Sequence, residues 1–197
     1  MTMERSGIQV LSIIITLSGA LVVGGCHRIL RSGAVTRAAS VAAPLTVKER
    51  LGKRLFFDKS LSTPPGQACS NCHAPEVAFA DPDTELPVSR GAVAGRYGNR
   101  NDMTVSYSAF VPPLHRDKDE DIWVGGLFWD GRANSLAEQA QGPPLNPLEM
   151  ANPDLQTIAE KLRALSYASL FAEVYGPDAL HDPQQAYDHM ADAIEAY

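Results

Sequence analysis

The sequence predicts a mainly α-helical fold with long loops, and three observations lead to this class. Two capping boxes, Thr46-Val47-Lys48-Glu49 and Ser135-Leu136-Ala137-Glu138, mark helix starts, because each pairs a hydroxyl and a carboxylate with exposed backbone N–H groups. Apolar residues that follow the first box recur at helical spacing, as do those in the last quarter of the chain. Between Ala74 and Val111 neither helical nor strand periodicity is sustained, and Pro and Gly are frequent.

The first predicted helix covers about residues 46–58, with Leu51, Leu55 and Phe56 on one face. The stretch from Ala74 to Val111 is then a long ordered loop. Loops of this length are uncommon inside a compact domain and are usually functional. Packing against a large prosthetic group would explain why such a loop is ordered.

Four further helices are predicted in the C-terminal part from their caps and breakers. They are a helix from Ser135 that is ended by Gly142-Pro143-Pro144, one from Asn152-Pro153 through Leu165, one from Tyr167 to Tyr175 closed by Gly176, and one capped by Asp182 that runs to Tyr197.

The N-terminal segment has the pattern of an export signal. An apolar run from Ile8 to Val23 follows a short head containing Arg5, which is typical of a signal peptide covering residues 1–25. Val23-Gly24-Gly25-Cys26 resembles a bacterial lipobox, so we expect a periplasmic protein with lipid anchoring through Cys26 as one alternative and an ordinary export signal as the other. Residues 26–45 lack helical periodicity and are expected to be a flexible tether before a domain at 46–197.

Composition narrows the classes of function. The chain has 197 residues and a formal net charge of -6, with no Lys/Arg cluster longer than Lys53-Arg54. Because phosphate binding requires concentrated positive charge, nucleic acid is not an expected partner. Three cysteines cannot form a disulfide framework, and Cys69 and Cys72 are too close together to join distant segments.

The segment Cys69-Ser70-Asn71-Cys72-His73 has the spacing of a c-type haem attachment motif. Two thiols one helical turn apart can add to the vinyl groups of a haem, and the adjacent imidazole can bind the iron. A zinc site and a redox dithiol are the alternatives. Zinc requires about four ligands, and a thioredoxin-like dithiol requires a βαβ pattern, which the sequence lacks. Covalent haem attachment in bacteria takes place outside the cytoplasm, which agrees with the export signal.

A second cluster of motifs lies between residues 128 and 150. It contains Phe128-Trp129-Asp130-Gly131-Arg132, Glu138-Gln139-Ala140 and Asn146-Pro147-Leu148-Glu149-Met150. Together with Leu51 to Asp58, the Cys69–His73 motif and Arg100 to Thr104, this set resembles the N-terminal haem domain of the bacterial di-haem cytochrome c peroxidases and MauG-like proteins. The resemblance spans roughly Thr46 to Tyr197 and implies a cytochrome c-like haem domain.

The resemblance implies a role for each site residue. His73 would be the proximal ligand of the peroxidatic haem c held by Cys69 and Cys72, and Glu149 the distal acid/base. Gln139 would be the neighbour of Glu149 over the iron, and Trp129 the aromatic group between two haems. One carboxylate near an open coordination site can move a proton between the two oxygens of hydrogen peroxide, as this chemistry requires. Asn101 matches a calcium-ligating position of the family.

The chain departs from the family pattern in two ways. No His occurs between Ala74 and Leu114, where the classical peroxidases carry a His that caps the peroxidatic iron. We therefore expect an open, MauG-like site, and interpret His115 as part of a charged surface insertion. The sequence also ends before a second Cys-x-x-Cys-His, so the second haem is expected in a domain beyond it.

The leading hypothesis is an exported haem peroxidase domain that reduces hydrogen peroxide with electrons from a small cytochrome or cupredoxin through a second haem. The resemblance also allows a homodimer. The alternatives are a MauG-like enzyme that oxidises a protein, and a mono-haem electron-transfer cytochrome with Met103 or Met150 as the second iron ligand. A further alternative is a truncated product that binds haem without independent activity.

Overall fold

The computed structural model describes residues 43–197 and confirms the mainly α fold with long loops. The helices are α1 (Val47–Phe56), α2 (Cys69–Cys72), α3 (Leu136–Ala140), α4 (Gly142–Leu145), α5 (Leu155–Ala164), α6 (Ser169–Tyr175) and α7 (Pro183–Ala196). Single 3-10 turns lie at Lys59–Leu61, Pro75–Val77 and Ser108–Phe110. An antiparallel hairpin joins β1 (His115–Asp117) to β2 (Ile122–Val124).

Helix α1 begins at the predicted capping box. The Thr46 hydroxyl accepts from the Glu49 N–H at 3.2 Å, and the Glu49 carboxylate accepts from the Thr46 N–H at 2.6 Å. The same backbone hydrogen bond lowers the pKa of Glu49. Two N–H groups that the helix itself leaves without partners are thereby satisfied, which fixes where α1 starts.

The hydrophobic core lies among α1, α5, α6 and α7. Its fully buried side chains come from the apolar faces that the sequence predicts, including Leu51, Ile158, Leu162, Phe171 and Met190. Helices α1 and α7 approach so closely that a Cβ on Gly52 would lie 1.8 Å from the carbonyl oxygen of Ala193. This contact packs the middle of α1 against the last turn of α7, and the C-terminal ends of both helices reach the cavity described below.

Two local predictions need correction. The helix from Ser135 ends at Ala140, just before Gly142-Pro143-Pro144, but these residues then form a further helix, α4, because proline fits the first turn of a helix, where its missing N–H costs nothing. Helix α5 begins at Leu155 rather than at Asn152-Pro153. Its cap is Asp154, which accepts from the Thr157 N–H at 2.8 Å, while Asn152 is buried and bonded elsewhere.

The segment around His115 contains the β1–β2 hairpin, which the sequence did not predict because its strands have only three residues each. Its side chains are mostly exposed, as expected of a charged surface insertion. The predicted signal peptide (1–25), Cys26 and most of the predicted tether (26–45) lie outside the described residues. Within residues 43–197, each helix is too short or too polar to cross a lipid bilayer.

Candidate haem site

A cavity of about 1090 Å³ opens beside the core and is the candidate functional site. Its size is slightly above the ~300–1,000 Å³ that is typical of small-molecule sites. Residues 98–111 line it without interruption, together with α2, the segment around α3 and α4, and the end of α7. The predicted long loop therefore forms one wall of the cavity.

Helix α2 places both cysteines of the Cys69–His73 motif on the cavity wall. Cys69 is its first residue and Cys72 its last, so the thiols lie one turn apart, and both are free. The helix is held at its start by the Asn71 side chain, which accepts from the Ala68 N–H at 3.0 Å. This is the spacing at which two thiols can bond to the two vinyl groups of one haem.

His73 follows α2 directly and also lines the cavity. Its N–H donates to the Cys69 carbonyl at 2.9 Å, which fixes the backbone at the end of the helix. Its Nδ1 lies 3.3 Å from the Phe79 carbonyl oxygen. When Nδ1 carries the proton and donates to this oxygen, Nε2 is left free as a metal ligand, which is the usual arrangement of metal-binding histidines.

The electrostatics of the two thiols argue against a redox dithiol. Burial raises the pKa of the Cys69 thiol to about 11. Burial also raises the pKa of Cys72, and the nearby Asp102 carboxylate raises it further. Reactive Cys-x-x-Cys pairs instead have a lowered thiol pKa, because the thiolate is the reacting species. Neutral thiols beside a large cavity fit covalent attachment of a haem.

A zinc site has no support in residues 43–197, because no group of three or more His, Cys, Asp or Glu side chains there is arranged to hold a metal ion. The same part of the chain also offers no group of acidic side chains that could bind calcium together with Asn101, whose side chain is exposed. Calcium binding by Asn101 stays a prediction, since the remaining ligands would have to come from outside this part of the chain.

Glu149 lies on the cavity wall in the turn that follows α4. Its Oε1 accepts from the Asn146 side-chain amide at 2.7 Å, and its carbonyl accepts from the Ala92 N–H at 2.7 Å. Burial raises the pKa of this carboxyl, and the negative charge of Asp102 raises it further. The Asn146 hydrogen bond and the charge of Arg132 act in the opposite direction. The carboxyl is thus fixed in position and biased toward accepting a proton.

Gln139 and Trp129 complete the predicted set on the same cavity. Gln139 projects from α3 and is half-buried. The indole N–H of Trp129 donates to the Asn101 carbonyl at 2.8 Å, which ties this residue to the long loop. Trp129 is 60% exposed, so its side chain is accessible to a partner.

The structure brings all seven predicted site residues to one cavity, although they are spread over 81 positions of the sequence. They are Cys69, Cys72, His73, Asn101, Trp129, Gln139 and Glu149. Met103 and Met150 also line it, whereas His115 does not. Sequence reasoning missed Asn146, Asp102 and Arg132 as neighbours of Glu149. Asn146 had a signal, because it precedes Glu149 by three residues in the same motif, but the other two are brought close only by the tertiary fold.

These features define the class: a c-type haem domain with a carboxylate and an amide on the wall of the haem cavity. The family model of the di-haem cytochrome c peroxidases matches residues 46–197. The chain belongs to this family of oxidoreductases.

Individual relatives agree with this assignment. The chain is 44% identical over 151 residues to methylamine utilization protein MauG of Paracoccus denitrificans, covering 75% of this chain and 39% of that protein. It is 35% identical over 156 residues to cytochrome c551 peroxidase of Pseudomonas aeruginosa, covering 78% and 39%. The crystal structure of the diheme peroxidase BthA from Burkholderia thailandensis superposes with a TM-score of 0.72 at 34% identity, covering 78% and 38%. The chain therefore spans about two fifths of the length of these relatives.

Proposed function

We propose that this chain is the peroxidatic domain of an exported di-haem c-type peroxidase that reduces hydrogen peroxide to water. The observation that carries the proposal is Glu149, a half-buried carboxylate with a raised pKa on the same cavity as the haem attachment motif. When bound, the haem supplies the redox-active iron that delivers electrons to the O–O bond. Cys69 and Cys72 would hold it through thioether bonds, and His73 would be its protein ligand.

Glu149 is proposed to act as the proton carrier. Reduction of peroxide to two waters consumes two protons and two electrons, and one proton must move from one peroxide oxygen to the other as the O–O bond breaks. The carboxylate takes this proton and returns it to the departing oxygen, which leaves as water. The hydrogen bond from Asn146 at 2.7 Å holds Oε1 in place for both transfers.

Gln139 and Trp129 are proposed to support this step. The Gln139 amide can donate a hydrogen bond to peroxide without competing for the proton, because an amide does not titrate. Trp129 lines the cavity and has an exposed indole. It would accept electrons from a second haem domain, which would itself receive them from a small cytochrome or cupredoxin.

Replacing Glu149 by Gln tests the proposal, because the amide keeps the shape of the side chain but cannot carry the proton. General acid–base groups contribute about 10²–10⁴-fold. Peroxide consumption by the haem-loaded chain, measured with an excess of a reduced dye, is expected to fall by about 100-fold or more. Glu173→Gln, a matched change of an exposed carboxylate on α6, should leave the rate unchanged. Unchanged turnover in Glu149→Gln would refute the mechanism.

A second candidate function is the MauG-like oxidation of a protein, which is favoured by the 44% identity to MauG of Paracoccus denitrificans. An indole that is 60% exposed at the cavity edge can take electrons from a protein that docks there as well as from a second haem. A new oxidative mass change in a partner protein after addition of peroxide would support this function. Turnover that requires a reduced cytochrome or cupredoxin would support the first.

Export to the periplasm is part of the proposal and is supported by the apolar run from Ile8 to Val23. Intact mass of the native product tests it. Loss of the first 25 residues is expected, and an added diacylglyceryl group on Cys26 would show lipid anchoring. A product that keeps Met1 and remains in the cytoplasm would contradict export.

A further inference from the structure

A half-buried lysine on α5 organises a hydrogen-bond network next to the haem cavity. The Lys161 ammonium donates to the Thr63 hydroxyl at 2.8 Å, to the Asn152 side-chain oxygen at 2.7 Å and to the Ser62 carbonyl at 2.5 Å. An ammonium group has three N–H donors, so each has a protein acceptor. The three hydrogen bonds hold the Lys161 side chain in one conformation.

Asn152, which is 3% exposed, uses all of its hydrogen-bonding capacity in the same network. Its amide nitrogen donates to the carbonyls of Leu61 and Pro144, both at 2.8 Å. Its oxygen accepts from Thr63 at 2.8 Å in addition to Lys161. Removing one partner would leave buried polar groups unsatisfied, which is costly, so the network holds its parts together as a unit.

The network joins two segments that both contribute residues to the cavity wall. On one side, the Thr63 N–H donates to the carbonyl of Met150, the residue after Glu149, at 2.8 Å. On the other side, the Ser62 hydroxyl accepts from the Gln67 N–H at 2.9 Å. The Gln67 side-chain amide lies 3.4 Å from the Cys72 sulfur. The network therefore connects the Glu149 turn with the segment that enters α2.

We propose that Lys161 is a positioning residue that fixes the distance between the Glu149 carboxylate and the haem attachment motif. The inference rests on the proposed function of Glu149. Among the described residues, Lys161, Asn152, Thr63 and Ser62 are absent from the cavity lining. Lys161 therefore does not touch groups in the cavity and would act on them through the turn and the segment that it ties together.

Cyanide association tests this without turnover. Hydrogen cyanide must lose its proton to bind ferric haem iron, so a carboxylate base at Glu149 accelerates association. Association rates are measured by stopped flow on the haem-loaded full chain, for Lys161→Met, Glu149→Gln and the double variant. A displacement of about 1 Å at a reacting group can cost about 100-fold. We expect Lys161→Met to slow association about tenfold when Glu149 is present and less than twofold in the Glu149→Gln background.

Arg163→Met is the matched control. It removes a cation from the same helix, and its partner is the Leu180 carbonyl at 2.8 Å, outside the network. Association should stay within twofold of the unmodified chain. Thr63→Val, which removes one hydroxyl from the network at nearly equal volume, carries the same expectation as Lys161→Met and serves as the test if Lys161→Met does not fold.

The outcomes separate this inference from the proposed function. If Glu149→Gln slows association but Lys161→Met does not, the positioning role is overturned and the role of Glu149 stands. Equal slowing by Lys161→Met in both backgrounds shows a general structural effect and also overturns it. If Glu149→Gln itself leaves association unchanged, the acid/base function fails, and the positioning role fails with it.

Discussion

Replacing Gly52 by alanine tests the helix contact that supports the cavity. A Cβ at this position would lie 1.8 Å from the Ala193 carbonyl oxygen and 2.6 Å from its carbon. An ordinary van der Waals contact begins at 3.4 Å, so α1 and α7 would have to separate by about 1.6 Å. The obstacle is backbone, which cannot rotate away as a side chain can.

The expected loss of stability follows from two opposing effects. Overpacking costs about 1–3 kcal/mol, and a backbone obstacle places the cost near the upper end. Alanine favours the helix over glycine by about 1 kcal/mol, which offsets part of the loss. The net destabilisation is about 2 kcal/mol. In a domain of roughly 150 residues, each kcal/mol lowers the melting temperature by about 2–4 °C, so a decrease of about 4–8 °C is expected.

Thermal unfolding of the haem-loaded chain, followed by far-UV circular dichroism, measures this change. Gly98→Ala is the control, because its Cβ would have its nearest neighbour at 3.6 Å, an ordinary contact. Its melting temperature should stay within about 2 °C of that of the unmodified chain. A Gly52→Ala variant that is as stable as the unmodified chain, or more stable, would refute the close packing of α1 on α7.

Three further predictions concern the site. Cys72→Ala should leave a single thioether bond, so the absorption band of its pyridine haemochrome should shift. Cys26→Ser is the control and should leave the band unchanged. An unshifted band in Cys72→Ala would contradict haem attachment through Cys72. The raised pKa of Glu149 means that the folded state holds the proton more tightly than the unfolded chain, so stability falls as pH rises from about 4.5 through the folded pKa. The free energy of unfolding of Glu149→Gln minus that of the unmodified chain, measured with urea, should therefore be larger at pH 7 than at pH 4. An equal difference at the two pH values would contradict this prediction. Electron paramagnetic resonance of the oxidised chain should show high-spin iron; a low-spin signal that Met103→Ala or Met150→Ala converts to high-spin would instead identify an electron-transfer cytochrome.

Much of the fold was predictable because local signals fix it. The Thr46 and Asp182 caps and the apolar face of α5 each depend on residues within a few positions of one another. The errors arose where tertiary contacts decide. Asn152 has the sequence signature of a helix start, yet burial among the Leu61 and Pro144 carbonyls and Lys161 moves the cap to Asp154.

In the candidate site, too, local features were predictable and features set by tertiary contacts were not. The attachment motif was evident from spacing alone, and the family resemblance pointed to Glu149, Gln139 and Trp129. The charges that tune Glu149 could not be predicted, because Asp102 and Arg132 are 47 and 17 positions away and reach it only through the fold. The hydrogen-bond network of Lys161 could not be predicted from the sequence either, since a lysine on an amphipathic helix is normally exposed.

The most direct test of the account is the pH dependence of the second-order rate constant for hydrogen peroxide with the ferric haem-loaded chain. Because the base must be unprotonated to accept a proton, the rate should fall at low pH with an apparent pKa above the ordinary 4.5 of glutamate. This step should be absent in Glu149→Gln and unchanged in Glu173→Gln. The same step in all three proteins would contradict the assignment of Glu149 as the acid/base of the site.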